Sequence, residues 1–303
     1  MRRELTYTVR DVAPYINWIY YFHAWGIEPR FATATDIHDC PSCRAAWIAS
    51  FPTEEQSKAH EAIKLYEEAV AQLREWADEA ICHAIFLLAE AYSEDDDIIV
   101  DHRMRIPFLR QQHADLSGHT LCLSDFIAPY KFTSNRDSTS ITNNIGVFAT
   151  TVSSPPDVQF STLNFQFSTL ADRLAEATAE KMHEEVRKHY WGYAKEESLT
   201  MRELHAERFQ GIRPAVGYPC LPDQSINFLI DDLLRMEDIG ITLTENGAMY
   251  PHCSVSGFMF AHPLSKYFSI SSISEEQLYD YAKRRAIDSH QARKFLAAVA
   301  LPY

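Results

Sequence analysis

From residue 81 to residue 270 the chain switches irregularly between two hydrophobic periods, and that irregularity narrows the folds open to it. Runs of strand character occupy 81–88, 98–100, 105–109, 145–152, 241–244, 255–260 and 267–270. Helical patterns fall around and between them at unequal intervals. Thr53 with Gln56 reads as a capping box, after which Ala62, Ile63, Tyr66, Ala69, Val70, Leu73 and Trp76 make a 3.6-residue stripe. A long helix is predicted over about 161–189, with Leu163, Phe167, Leu170 and Leu174 on one face. Thr200 and Glu203 cap another. The segment 224–237 is apolar at Phe228, Leu229, Leu233 and Met236, with Gly240 as its stop. Ser274 with Gln277 starts a helix carrying Leu278, Tyr281 and Ala282. A doubly wound parallel sheet needs regular strand–helix alternation, so the pattern predicts an α+β fold instead. The run Glu94-Asp95-Asp96-Asp97 reads as a solvated hairpin connection without chemistry.

A chain of 303 residues can bury a sizeable core, as one domain or two small ones. No internal repeat and no low-complexity segment divides it. Forty-two acidic against 28 basic residues give a net charge of −14, which argues against nucleic acid or an anionic membrane as partner. No apolar run of about 18 residues and no charged-then-apolar leader occurs, so neither a transmembrane helix nor a signal peptide is expected. Six irregularly spaced cysteines read as free thiols in a reducing compartment, hence a cytoplasmic protein.

The segment Arg213-Pro214-Ala215-Val216-Gly217-Tyr218-Pro219 brackets one cation with two prolines and a glycine. Proline fixes φ near −65° and biases the residue before it toward extended backbone. Gly217 allows positive φ or the close approach of a ligand. The expectation is an extended, poorly hydrogen-bonded stretch with free amides and carbonyls beside an arginine fork. A surface proline-rich connection is the plainer reading of the same spacing.

Together with Thr244-Glu245-Asn246-Gly247-Ala248-Met249, Ser254-Val255-Ser256-Gly257 through His262-Pro263, and Lys266-Tyr267-Phe268, this segment resembles the S-adenosylmethionine-binding activation domain of cobalamin-dependent methionine synthase. Similar family segments stand upstream at 109–112, 122–129, 145–149, 170–177 and 190–193, so the resemblance runs from about Tyr15 onward. It implies a C-shaped single domain over 1–303, with an N-terminal helical part to about 80 and a bent, mainly antiparallel sheet in a core over about 81–303. The resemblance further implies that Arg213 holds the methionyl carboxylate. Ala215, Gly217 and Tyr218 would meet the adenosine largely through backbone, Glu176 would touch the ligand, and Tyr267 and Phe268 would lie beside it. In place of the family's Tyr-Ile-Asp-Trp the chain reads Tyr15-Ile16-Asn17-Trp18, which keeps an acceptor and loses a charge. In place of Pro-Asp/Glu-His-Thr it reads Pro222-Asp223-Gln224-Ser225.

The implied reaction needs no catalytic side chain or metal from this chain. A flavodoxin-type reductase reduces cob(II)alamin, and the resulting cob(I)alamin takes the sulfonium methyl to give methylcobalamin, with the cobalamin carried by a partner module. The chain would be one component of a methyltransferase, without activity alone, and the lead-in Met1-Arg2-Arg3-Glu4-Leu5 favours a natural stand-alone chain. A non-catalytic S-adenosylmethionine-binding or corrinoid-docking module, or an activator of another corrinoid methyltransferase, are the alternatives. Asp36-Ile37-His38-Asp39-Cys40-Pro41 begins like a cobalamin-ligating loop, but proline stands where glycine is needed. Cys40-Pro41-Ser42-Cys43 with His38 has half the spacing of a zinc site, and no second cysteine or histidine pair completes it.

Overall fold

The computed structural model describes residues 1–114, 118–130, 143–153 and 165–300. Its main sheet is built from β1 (Arg2–Thr8), β2 (Ile81–Glu94), β3 (Asp97–Val100), β4 (Met104–Pro107) and β5 (Asn144–Ser153). A two-stranded ribbon of β6 (Thr242–Leu243) and β7 (Met249–Tyr250) follows, and then β8 (Ser254–Met259) completes the sheet. The order is β4-β3-β2-β5-β8, and every neighbouring pair is antiparallel. Strand β2 holds the sheet together because it serves two partners in succession on one edge. Its first half pairs with β1, from Ile81↔Thr8 to Leu87↔Arg2, and its end pairs with β3, from Ala91↔Val100 to Glu94↔Asp97. The other edge is taken by β5, from Ile81↔Ser153 to Glu90↔Asn144. This is the α+β architecture expected, a bent antiparallel sheet flanked by helices.

The sheet is buried on both faces, and period-two alternation sorts its side chains. Cys82, Ala84, Phe86, Phe148, Val152, Val255 and Met259 point into one core, and Ile85, Ala89, Ile145, Val147, Ala149, Phe258 and Phe260 into another. The first core is closed by α1 (Val9–Val12), α2 (Trp18–Ala24), α4 (Gln56–Trp76) and α5 (Phe165–Glu185), with α3 (Pro41–Ala49) packed on α4. After α6 (Met201–His205), the second core is closed by α7 (Ile226–Leu234). Helices α8 (Glu275–Arg285) and α9 (Ser289–Phe295) share a small third core with Leu109 and Ile270.

Several local expectations hold. Thr200 and Glu203 form a reciprocal capping box on α6, worth about 1 kcal/mol. Ser274 caps α8 by accepting from the Gln277 amide, and Leu278, Tyr281 and Ala282 are buried. In α4, Ala62, Ala69, Leu73 and Trp76 are buried as the stripe requires. Leu170 and Leu174 are fully buried, while Leu163 and the side chain of Phe167 lie outside the described residues.

Others fail for identifiable reasons. Thr53 opens a short 3₁₀ turn with no side-chain cap, so it is not the N-cap of α4. The N-terminal part is not purely helical, since residues 2–8 form a strand that covers the free edge of β2. The α7 helix buries Ile226, Ile230 and Leu234, not Phe228, which is exposed; Arg235 in the left-handed region ends it before Gly240. Residues 267–270 form no strand, because Ile270 N–H donates to the Pro219 carbonyl rather than to a sheet neighbour. The acidic turn is not solvated throughout. Asp97 is buried and carries ion pairs to both Arg105 and Arg284, which tie the β3–β4 hairpin to α8.

Candidate functional site

The loop that carries Arg213 is held against the edge strand β8 by backbone pairing. Val216 N–H donates to the Ser256 carbonyl at 2.8 Å, and Phe258 N–H donates to the Pro214 carbonyl at 3.0 Å. This close approach depends on Gly257, because a Cβ there would stand 2.2 Å from the Pro214 carbonyl oxygen. The pairing turns the Ala215 N–H and C=O away from β8, and that carbonyl accepts from Tyr218 N–H at 3.0 Å. Gly217, at φ +95°, makes the turn and donates to the Leu221 carbonyl at 2.9 Å. Most of the backbone groups expected to be free are therefore engaged. The stretch is a hydrogen-bonded extension of the sheet, and what it presents is side chains.

Facing the loop is α5, whose Arg173, Glu176, Ala177 and Glu180 recur at helical spacing and line one side of a cavity of about 500 Å³. The loop supplies Arg213, Tyr218, Pro219 and Cys220, and Tyr267 with Phe268 form a further wall. The end of α6 and the turn after it add Leu204, His205, Glu207 and Phe209; the N-terminal segment adds Tyr15, Asn17 and Tyr20. A volume of this size falls in the range of small-molecule sites.

Arg213 is nearly fully buried. Its Nη2 lies 3.1 Å from Glu180 Oε2, and its guanidinium stands over the Phe148 ring at 5.5 Å. Burial alone would lower its pKa, but Glu180 in the first place, with Tyr218 and Tyr267, holds it above the ordinary arginine value. Its Nε and Nη1 are buried without a hydrogen-bond partner among the described residues, as is Glu180 Oε1. Unpaired buried donors on a cation are costly, so these two nitrogens are the groups of the cavity with the strongest call for an anionic partner. Tyr267 fixes the loop, since its hydroxyl accepts from Arg213 N–H at 3.0 Å. Tyr218 OH donates to Glu176 Oε2 at 3.5 Å. Burial, reinforced at Tyr218 by Glu176, raises the pKa of both phenols, so they remain neutral donors.

Of the eight residues expected at the site, Asn17, Glu176, Arg213, Tyr218, Tyr267 and Phe268 line this cavity, and Ala215 and Gly217 do not. Asn17 also acts locally, because its side chain caps α2 by accepting from Ile19 N–H at 3.2 Å. Gln224 does not line the cavity. The run around it instead anchors α8, through Tyr281 OH donating to Asp223 at 2.6 Å. Glu180, Arg173, Tyr15, Tyr20, Glu207 and Phe209 were not anticipated. Glu180 and Arg173 were within reach of the sequence, being one turn after and one turn before Glu176. Below the cavity, the guanidinium of Arg187 sits 4.0 Å from the Phe209 ring centroid and is bridged to Glu197 at 2.7 Å.

A family model described as the activation domain of vitamin B12 dependent methionine synthase matches residues 8–286. The chain belongs to that family. A solved structure described as the MetH reactivation domain bound to AdoHcy superimposes with a TM-score of 0.81 at 31% identity. The match covers 100% of this chain and 91% of that one. As a methionine synthase activation domain the chain shares the curled antiparallel sheet flanked by helices, and its family membership makes it part of a methyltransferase system. No helix among the described residues is long and apolar enough to cross a membrane.

Proposed function

We propose that this chain binds S-adenosylmethionine in the Arg213 cavity and supports reductive remethylation of cob(II)alamin to methylcobalamin on a cobalamin-dependent methionine synthase. The observation that carries the reading is the half-satisfied Arg213, whose two unpaired nitrogens suit the methionyl carboxylate. The solved relative is bound to AdoHcy, the product this ligand would leave. Glu176 and Glu180 offer carboxylates for the ligand's ammonium and sulfonium charges, and Tyr218, Tyr267 and Phe268 give it apolar cover. Tyr20 and Asn17 stand on the N-terminal side of the same cavity, with Asn17 offering a neutral acceptor.

Cobalamin, carried by a partner module, supplies the cobalt that accepts the methyl group. The chain's own contribution is placement and exclusion of water. Arg213 fixes the amino-acid end of the ligand, and the carboxylates of α5 orient the charge at its centre. The electron comes from a flavodoxin-type reductase. A transient, polar contact with the cobalamin module suits a module that also visits other domains.

The test combines binding with turnover. Calorimetric titration is expected to give roughly micromolar affinity for S-adenosylmethionine. Methylcobalamin formation from cob(II)alamin, S-adenosylmethionine and a flavodoxin system is then followed with and without this chain, beside a partner carrying the other modules. Faster formation with the chain supports activation. Binding without any gain in rate sinks it and leaves a non-catalytic S-adenosylmethionine sensor, a reading to which Asn17 in place of an aspartate already leans.

A further inference from the structure

The turn from the 3₁₀ segment Pro29–Asp36 into α3 collects three metal-type donors in one place. One ring nitrogen of His38 and the thiol sulfurs of Cys40 and Cys43 all lie within 4.8 Å of one another. Cys40 is the N-cap of α3 and Pro41 occupies its first turn, so the backbone that carries the first thiol is rigid. Cys43 N–H donates to the Cys40 sulfur at 3.2 Å, and Ser42 Oγ lies 3.3 Å from it. Cys40 N–H donates to the His38 carbonyl at 2.7 Å, which folds the histidine back over the helix start. None of these three residues lines the 500 Å³ cavity.

We propose that His38, Cys40 and Cys43 form a zinc site with three protein donors and an exchangeable fourth position open to water. Two thiolates and one neutral imidazole are the donor set preferred by zinc, with Zn–S near 2.3 Å and Zn–N about 2.0–2.1 Å. A tetrahedral ion with those bonds spaces its donors by about 3.5–3.8 Å, so donors already inside 4.8 Å need only rotamer-scale movement. The two thiolates neutralise the dication. The nearest carboxylate in sequence, Asp39, is paired with Arg44 and does not supply the fourth ligand. The open position distinguishes this arrangement from a closed structural site, and it sits on the helical part of the molecule, away from Arg213.

The test uses the full chain, tag-free and handled under reducing, oxygen-free conditions. Titration with cobalt(II) is expected to give one equivalent with sulfur-to-cobalt charge transfer and tetrahedral d–d absorption, displaced stoichiometrically by zinc. Cys40→Ser and Cys43→Ser are each expected to weaken zinc about 100-fold in competition with a chromophoric chelator, and His38→Ala to shift the cobalt spectrum. Because all three residues are at least partly exposed, the variants are expected to fold, checked by an unchanged circular dichroism spectrum. No tetrahedral spectrum, or zinc binding unaltered by both cysteine variants, would overturn the proposal. So would a thiol count showing Cys40 and Cys43 joined as a disulfide in the anaerobically prepared chain.

Discussion

Arg213 Nη2 stands 3.1 Å from Glu180 Oε2, while the Nε and Nη1 of the same buried guanidinium have no partner among the described residues. A buried ion pair of this kind is expensive to desolvate and is repaid only when the remaining donors are satisfied. In the proposed complex a ligand carboxylate that met both nitrogens would satisfy those donors and so couple the stability of the loop to binding.

Replacing Arg213 with alanine is expected to weaken S-adenosylmethionine by about 2–4 kcal/mol, roughly 30- to 1000-fold. Arg213→Lys should fall between, since an ammonium keeps the charge and loses the planar fork. Calorimetric titration decides it, and unchanged affinity in the alanine variant would remove Arg213 from the site.

Asn17→Asp is expected to tighten binding by about 0.5–2 kcal/mol, because it adds a carboxylate to the cavity wall for the ammonium and sulfonium charges of the proposed ligand. The fold is not at risk, as aspartate caps a helix about as well as the asparagine that now accepts from Ile19 N–H. The gain should shrink as salt is raised. Weaker binding by the aspartate variant would mean that the pocket has been rebuilt around the neutral side chain.

Residues whose role follows from their own chemistry were legible in the sequence, and residues whose role depends on register were not. The capping pairs at Thr200 and Ser274 could be read directly, because a cap is a local matter of three or four residues. The strand at 2–8 has no such local signature; it exists because β2 leaves an edge open that long-range pairing fills. Likewise the proline-bracketed loop suggested exposed backbone, and the structure uses that backbone against β8 through Gly257. Arg213 was visible as a lone cation in an apolar stretch. Its partner Glu180 could be reached only through Glu176, one turn before it, since on its own a helix glutamate looks like a solvated one until the facing loop is known.

Gly257→Ala tests whether the loop is positioned by backbone contact. The new methyl would meet the Pro214 carbonyl oxygen at 2.2 Å and the Ala215 Cα at 2.8 Å, and neither is the end of a flexible side chain. Overpacking of this kind costs about 1–3 kcal/mol. The variant is expected to unfold at lower urea and to lose ligand affinity as well, because Arg213 is carried by the displaced strand. Lower stability with affinity intact would show that the site does not depend on the pairing of Ala215 with Gly257.

His183 provides the pH test. Its ring is fully buried on α5, edge-on to Phe209 at 5.2 Å, and both ring nitrogens lack partners among the described residues. Burial first, and then Arg187 and Arg213, hold its pKa well below the ordinary value of 6.5. The folded state therefore keeps the ring neutral while the unfolded chain takes up a proton. Below about pH 6.5 the unfolded state binds more protons than the folded one, so stability falls as pH falls, by up to about 1.4 kcal/mol per unit for this group. His183→Leu removes that proton uptake. The difference in unfolding free energy between the parent chain and the variant, from urea titrations at pH 7.5 to 5, is expected to be flat above about 6.5. Below that point it should move steadily against the parent. A difference that stays flat to pH 5 would mean that the protonated ring finds a partner in the fold, and that the two arginines do not confine it to the neutral form.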